Sequence, residues 1–76
     1  MFELVDFLVK QIIPAQSYEI VIIEDCDKVD IRVMVDKDYV AQVIGHSGKT
    51  AKAIRTLVRA ASQNMDQKYS VYVEER

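Results

Sequence analysis

Residues 43–55 read Val-Ile-Gly-His-Ser-Gly-Lys-Thr-Ala-Lys-Ala-Ile-Arg, two glycines three positions apart that run into a basic amphipathic stretch. Lacking Cβ, Gly45 and Gly48 let the backbone take positive φ and let another polymer approach the main chain closely. Ahead of them, Asp38 is placed to cap a short helix through Tyr39, Val40 and Val43 to Ile44, which Gly45 ends. Behind them a longer helix starts near Ser47 or Lys49. It carries Ile54, Leu57, Val58 and Ala61 on one face and Lys52, Arg55 and Arg59 on the other. The unpaired N–H groups at its start, its dipole and Lys49 all face whatever enters the loop. A phosphate is the natural occupant.

The flanking sequence supplies the frame. Leu4, Val5, Leu8, Val9 and Ile12 recur at helical spacing until Pro14, which predicts an amphipathic helix over 2–13. Tyr18 to Glu24 is β-rich. Val29, Ile31, Val33 and Val35 alternate with Asp30, Arg32, Met34 and Asp36, the pattern of a half-buried strand. Asp25-Cys26-Asp27-Lys28 between them has turn chemistry, so the two strands form an antiparallel hairpin. After a polar connection over 63–68, Tyr69, Val71 and Val73 alternate with Ser70, Tyr72 and Glu74 in a last strand. The order is α-β-β-α-α-β. A strand, a crossover of two helices and another strand make a right-handed parallel connection. The strand at 29–36 is therefore central, antiparallel to 18–24 and parallel to 70–74. The fold class is α+β, a three-stranded mixed sheet with three helices on one face.

A hydrophobic-Ile-Gly-x-x-Gly followed by a basic helix, in this element order, resembles the KH RNA-binding domain in its type II form. The length and the IGxxGKxxKAIR context resemble the small bacterial stand-alone KhpA family. The resemblance covers the whole chain. It implies a non-enzymatic protein that grips short single-stranded RNA, as a post-transcriptional regulator or RNA chaperone, with no cofactor. KH loops clamp the nucleic-acid backbone. Carried over, Gly45, His46, Ser47 and Gly48 form the clamp, and Lys49, Lys52 and Arg55 neutralise phosphates. Val40, Val43 and Ile44, with a strand edge opposite, line the apolar groove for bases. Members usually place Lys or Arg at one of the two central loop positions, where this chain has His46-Ser47. The resemblance also implies assembly, with a second copy or with a Jag-like KH-containing protein. Two linked weak sites gain by effective concentration.

Charge distribution agrees with an anionic partner although the net charge is −2. Residues 1–44 carry net −5, residues 45–62 carry Lys49, Lys52, Arg55 and Arg59 with no acid, and residues 63–76 carry net −1. Local sign decides whether an anion docks. At 76 residues, half of them apolar, the chain holds one core and one domain. Its longest apolar run, Ile20–Ile23, is far too short for a membrane span. Glu3 and Asp6 stand where a secretory signal carries bases, and one cysteine makes no internal disulfide, so a cytoplasmic setting is expected.

Competing chemistries fit poorly. The Gly-Lys-Thr at 48–50 imitates a phosphate-binding P-loop, but the first glycine of that motif would fall on Val43. His46 and Ser47 are adjacent and have no orienting acid nearby in sequence, which is wrong for a nucleophile-base pair. Cys26 with His46 makes no metal site, because zinc needs four ligands at recognisable spacing. Catalytic and metal-ligating residues are expected to be absent. A protein-interaction module is the alternative, acting through homo- or hetero-dimerisation. Either Ile20/Ile22 or Val21/Ile23 must face away from the helices, beside Met34 and Tyr72 on the outer sheet surface.

Overall fold

The computed structural model describes residues 1–76. Helix α1 spans Phe2–Lys10, followed by strands β1 (Tyr18–Glu24) and β2 (Lys28–Val35), helices α2 (Val40–Ile44) and α3 (Lys49–Ala61), and strand β3 (Lys68–Glu75). Single 3-10 turns precede β1, α2 and α3. The sheet order is β1-β2-β3, with β1 antiparallel and β3 parallel to the central β2. This is the expected α-β-β-α-α-β order and mixed sheet. No helix is long and apolar enough to cross a membrane.

Side-chain alternation on the central strand organises the core. Val29, Ile31, Val33 and Val35 are all buried, and their register partners Val71 and Val73 on β3 and Ile20 on β1 extend the same face. Val5, Val9 and Ile13 cover it from the first helical segment, Val43 from α2, and Ile54 and Val58 from α3. Each such buried aliphatic contributes about 1.5–3 kcal/mol. Register settles the outer face: Val21 pairs with Arg32 and Ile23 with Asp30, so Val21 and Ile23 point away from the helices while Ile20 and Ile22 point inward. Arg32 lies across the Tyr72 ring on that outer face, and its Nη1 reaches the Glu74 carboxylate at 3.3 Å.

Three expectations need correction. The helix predicted over 2–13 ends at Lys10; the amides of Ile12 and Ile13 both bond to the Val9 carbonyl, tightening the last turn ahead of Pro14. Asp38 caps nothing. The chain enters α2 through a turn closed by the Tyr39 amide on the Asp36 carbonyl at 2.9 Å, and the Asp36 carboxylate accepts from Arg76 Nε at 2.7 Å. On α3 the buried face is Ala51, Ile54 and Val58, whereas Leu57, 48% exposed, and Ala61 lie outside it. The apolar period matched, but the sheet takes only a narrow stripe of the helix.

Candidate nucleic-acid interface

The junction between α2 and α3 is built almost wholly in left-handed backbone. Gly45 has φ 79°, Ser47 φ 56° and Gly48 φ 76°. A hydrogen bond from the Gly45 amide to the Ala41 carbonyl (2.9 Å) closes α2, and one from Gly48 to Gly45 (3.1 Å) closes the loop. The two glycines answer different demands. A Cβ on Gly45 would sit 2.7 Å from the Thr50 Cβ and 2.8 Å from the Thr50 amide nitrogen, so α3 packs directly on this residue. A Cβ on Gly48 would meet nothing within 4 Å; only its φ favours glycine there. Between them His46 and Ser47 are exposed. Gly48 gives α3 no side-chain cap, and the Lys49 amide at the start of the helix bonds back to the His46 carbonyl.

Helix α3 turns its cations toward one flank. At about 100° per residue, Arg55, Arg59, Lys52 and Lys49 follow one another around an arc that starts beside β3 and ends on the outward face. None of the four has a carboxylate within 4 Å; the ion pairs of the molecule involve Arg32 and Arg76. Arg55 is held in place, because its Nε donates to the Val71 carbonyl at 3.1 Å. That bond identifies the free edge of β3. The Lys68 and Arg76 amides bond back toward β2, to the carbonyls of Asp27 and Val35. By alternation Tyr69, Val71 and Val73 turn their backbone groups outward. Arg55, Arg59, Tyr69, Ser70 and Tyr72 line a cleft of about 240 Å³ between this edge and α3, floored by Val58 and Val71.

Some of the residues expected from the sequence meet in space and some do not. Gly45, His46, Ser47, Gly48 and Lys49 form one continuous surface, and Lys52 and Arg55 extend it along α3. Ile44 is 38% exposed at the end of α2 and can be touched from outside. Val43 cannot: it is fully buried, facing the sheet, and the expectation that it lines the groove is corrected, since α2 turns Val43 inward one residue before Ile44 turns out. Lys49 and Lys52 do not reach the α3–β3 cleft and instead border a shallow depression with Ala53, Thr56 and Leu57. The cleft also holds Arg59, Tyr69, Ser70 and Tyr72, none of which is among the loop and helix residues expected from the sequence. The four-residue interval from Arg55 to Arg59 was the available signal for the first. The other three depend on which edge of the sheet α3 crosses.

Residues 3–74 match the family model described as the KhpA/KhpB KH domain. No curated protein and no solved structure matches the chain. With the element order, the mixed sheet and the glycine-flanked loop in place, that match over nearly the whole length means that the chain belongs to the KhpA/KhpB family of KH domains, a family whose domain type points to RNA binding.

Proposed function

We propose that the protein is a non-enzymatic, cytoplasmic RNA-binding module. It grips a short single strand with the backbone of residues 45–48, holds its phosphates with Lys49, Lys52, Arg55 and Arg59, and lays its bases along the α3–β3 cleft. The observation that carries this reading is the unpaired basic arc beside a free strand edge. Four cations with no carboxylate partner face one side, and the outward backbone groups of Tyr69 and Val73 offer donors and acceptors to base edges beyond it. Double-stranded RNA fits poorly, because a cleft lined by backbone and aromatic edges needs bases that can be splayed out. The role that follows is post-transcriptional regulation or RNA chaperoning.

Fluorescence anisotropy of a labelled single-stranded oligonucleotide tests this. His46→Asp with Ser47→Asp places two acids in the exposed loop without adding a side chain at either glycine. Binding falls at least tenfold, and duplex of the same sequence binds more weakly than the single strand. Wild-type affinity in the double variant refutes the grip.

A second reading rests on the outer face, where Val21, Ile23 and Tyr72 are 38%, 47% and 43% exposed. On this reading the chain acts mainly through assembly, with itself or with a Jag-like KH-containing protein. A binding curve insensitive to salt favours it over the RNA grip.

A further inference from the structure

One group of the β3 edge is already occupied. Tyr69, Val71 and Val73 turn their backbone outward there, and the central carbonyl, that of Val71, accepts from Arg55 Nε at 3.1 Å. No other cation of the basic arc donates a side-chain hydrogen bond within the chain. An arginine carries five N–H donors in one plane and no acceptor. With Nε spent on Val71, the remaining donors sit on the two Nη atoms, in a plane whose placement that bond fixes. Nothing in the chain accepts from them, since Arg55 has no carboxylate within 4 Å and makes no second hydrogen bond. Arg55 and Val71 both line the α3–β3 cleft. At Val71 the edge therefore presents donors: its own N–H and the guanidinium N–H groups beside the capped carbonyl.

We propose that Arg55 is a base-selecting residue: by capping the Val71 carbonyl and setting its own donors beside the Val71 N–H, it favours a base with two neighbouring acceptors and turns adenine away. The proposal rests on the RNA-binding reading above and names the strands which that site prefers. An open strand edge offers one donor and one acceptor at each outward residue. Adenine satisfies both, because its N6 amino group donates beside an accepting ring nitrogen. Once the carbonyl is capped, any adenine acceptor that enters brings that amino group against the guanidinium, donor against donor. The carbonyl oxygen has a second lone pair, but an amino group reaching it must share the oxygen with a cation already in contact. An amino group left without a partner there costs its desolvation. Cytosine avoids the conflict, since N3 and O2 are adjacent acceptors, and so does guanine with O6 and N7, the pair that suits the arginine fork. Uracil sets N3–H between its two oxygens and is not selected. This choice is made by hydrogen bonding and is separate from the charge that Arg55 lends to the phosphates, which every strand feels alike.

The test reads a ratio of affinities. Fluorescence anisotropy is measured with short labelled oligouridine strands that carry a single cytidine, guanosine or adenosine at one central position. The wild-type chain is expected to bind the cytidine and guanosine strands at least about fivefold tighter than the adenosine strand, the lower end of what one bidentate contact discriminates. Putting 3-deazacytidine for the cytidine, or 7-deazaguanosine for the guanosine, removes one acceptor and brings either strand down to the adenosine level. That arm uses the wild-type chain alone, so no folding defect enters it. A preference for only one of the two bases supports the proposal if its deaza analogue loses it. Arg55→Met keeps the apolar stem, removes the guanidinium and uncovers the Val71 carbonyl; it is expected to bind the three strands nearly alike, whereas Arg59→Met weakens all of them and keeps the ratio. Adenosine bound as tightly as the other two, analogues that bind like their parents, a ratio that survives Arg55→Met, or one that Arg59→Met erases instead, each overturns the proposal. In all four cases the strands still bind, so the grip stands. A wild-type chain that binds no strand, even at low salt, overturns the grip and the proposal together.

Discussion

Gly45 and Gly48 occupy equivalent places in the motif and have almost the same φ, yet the structure makes them unequal, and alanine at each measures the difference. Gly48→Ala adds a methyl in open space and incurs only the left-handed backbone, about 1–2 kcal/mol. At about 4–8 °C per kcal/mol for a domain of this size, Tm falls by roughly 4–16 °C. Gly45→Ala incurs a backbone cost at least as large, since φ 79° with ψ 173° is a region almost confined to glycine, and also drives its Cβ to 2.7 Å from the Thr50 Cβ and 2.8 Å from the Thr50 nitrogen. The backbone of α3 must then shift, and overpacking of this kind adds about 1–3 kcal/mol. Gly45→Ala is therefore expected to lose about 1–3 kcal/mol more than Gly48→Ala in urea denaturation. Part of that excess passes through the threonine side chain, so Thr50→Gly in the Gly45→Ala background recovers about 1 kcal/mol as a coupling energy in a double-mutant cycle. If both alanine variants unfold at the same urea concentration, α3 does not pack on Gly45. The difference also bears on function. Acids at both glycines would confound lost RNA affinity with lost fold, whereas His46 and Ser47, exposed and free of Thr50, report on binding alone.

Further expectations concern charge. Binding of a short single strand weakens with salt along a log-log slope of about −1.5 to −3, and Arg59→Ala makes it shallower by about 0.7, one phosphate fewer; an unchanged slope removes Arg59 from the interface. His46→Lys places a permanent charge beside the phosphate track and tightens binding at pH 7.5 by at most about 1 kcal/mol, the scale of an exposed ion pair; weaker binding in the oligonucleotide titration shows that His46 reads something other than phosphate. Burial, and then the hydrogen bond its hydroxyl donates to Asp6 Oδ1 at 2.6 Å, push the Tyr18 phenol up from 10.0 to about 12. The folded value lies above the unfolded one, so this contribution is complete below about pH 10 and is lost as pH rises from about 10 through 12. Tyr18→Phe costs about 1 kcal/mol at neutral pH and makes the alkaline fall in denaturation midpoint shallower. An equally steep fall in the variant would assign it to other groups.

What the sequence disclosed and what it hid divide along a physical line. Strand β2 announces itself because a strand with one buried face alternates with period two, and Val29, Ile31, Val33 and Val35 do so without a break. Element order and handedness then give the sheet topology, since a crossover between parallel strands has one favoured hand. The loop is equally visible, because positive φ and close packing both call for glycine. Helix periodicity carries less information. The apolar stripe of α3 is wide enough to include Leu57, and only the placement of the helix on the sheet decides that Ala51, Ile54 and Val58 are covered while Leu57 is left outside. Val43 and Ile44 are neighbours of similar chemistry, and nothing local says which one turns inward.

The same limit explains why half of the cleft was missed. Tyr69, Ser70 and Tyr72 read as an ordinary alternating strand, and their place in the α3–β3 cleft follows from two long-range facts: β3 lies at the edge of the sheet, and α3 crosses that edge with Arg55 bonded to the Val71 carbonyl. The proposed grip would have to manage a loop without a fixed charge. Lys and Arg are absent from positions 46 and 47, and the positive charge is carried one helical turn and more away, where Arg55 is anchored by backbone and Arg59 stands beside it over the cleft. A phosphate at the loop would be held by backbone amides and Lys49, and the next along the strand by the arginines. On the proposed reading, discrimination between RNAs rests on the outward backbone groups of β3, whose spacing is set by the strand and not by any side chain of the loop.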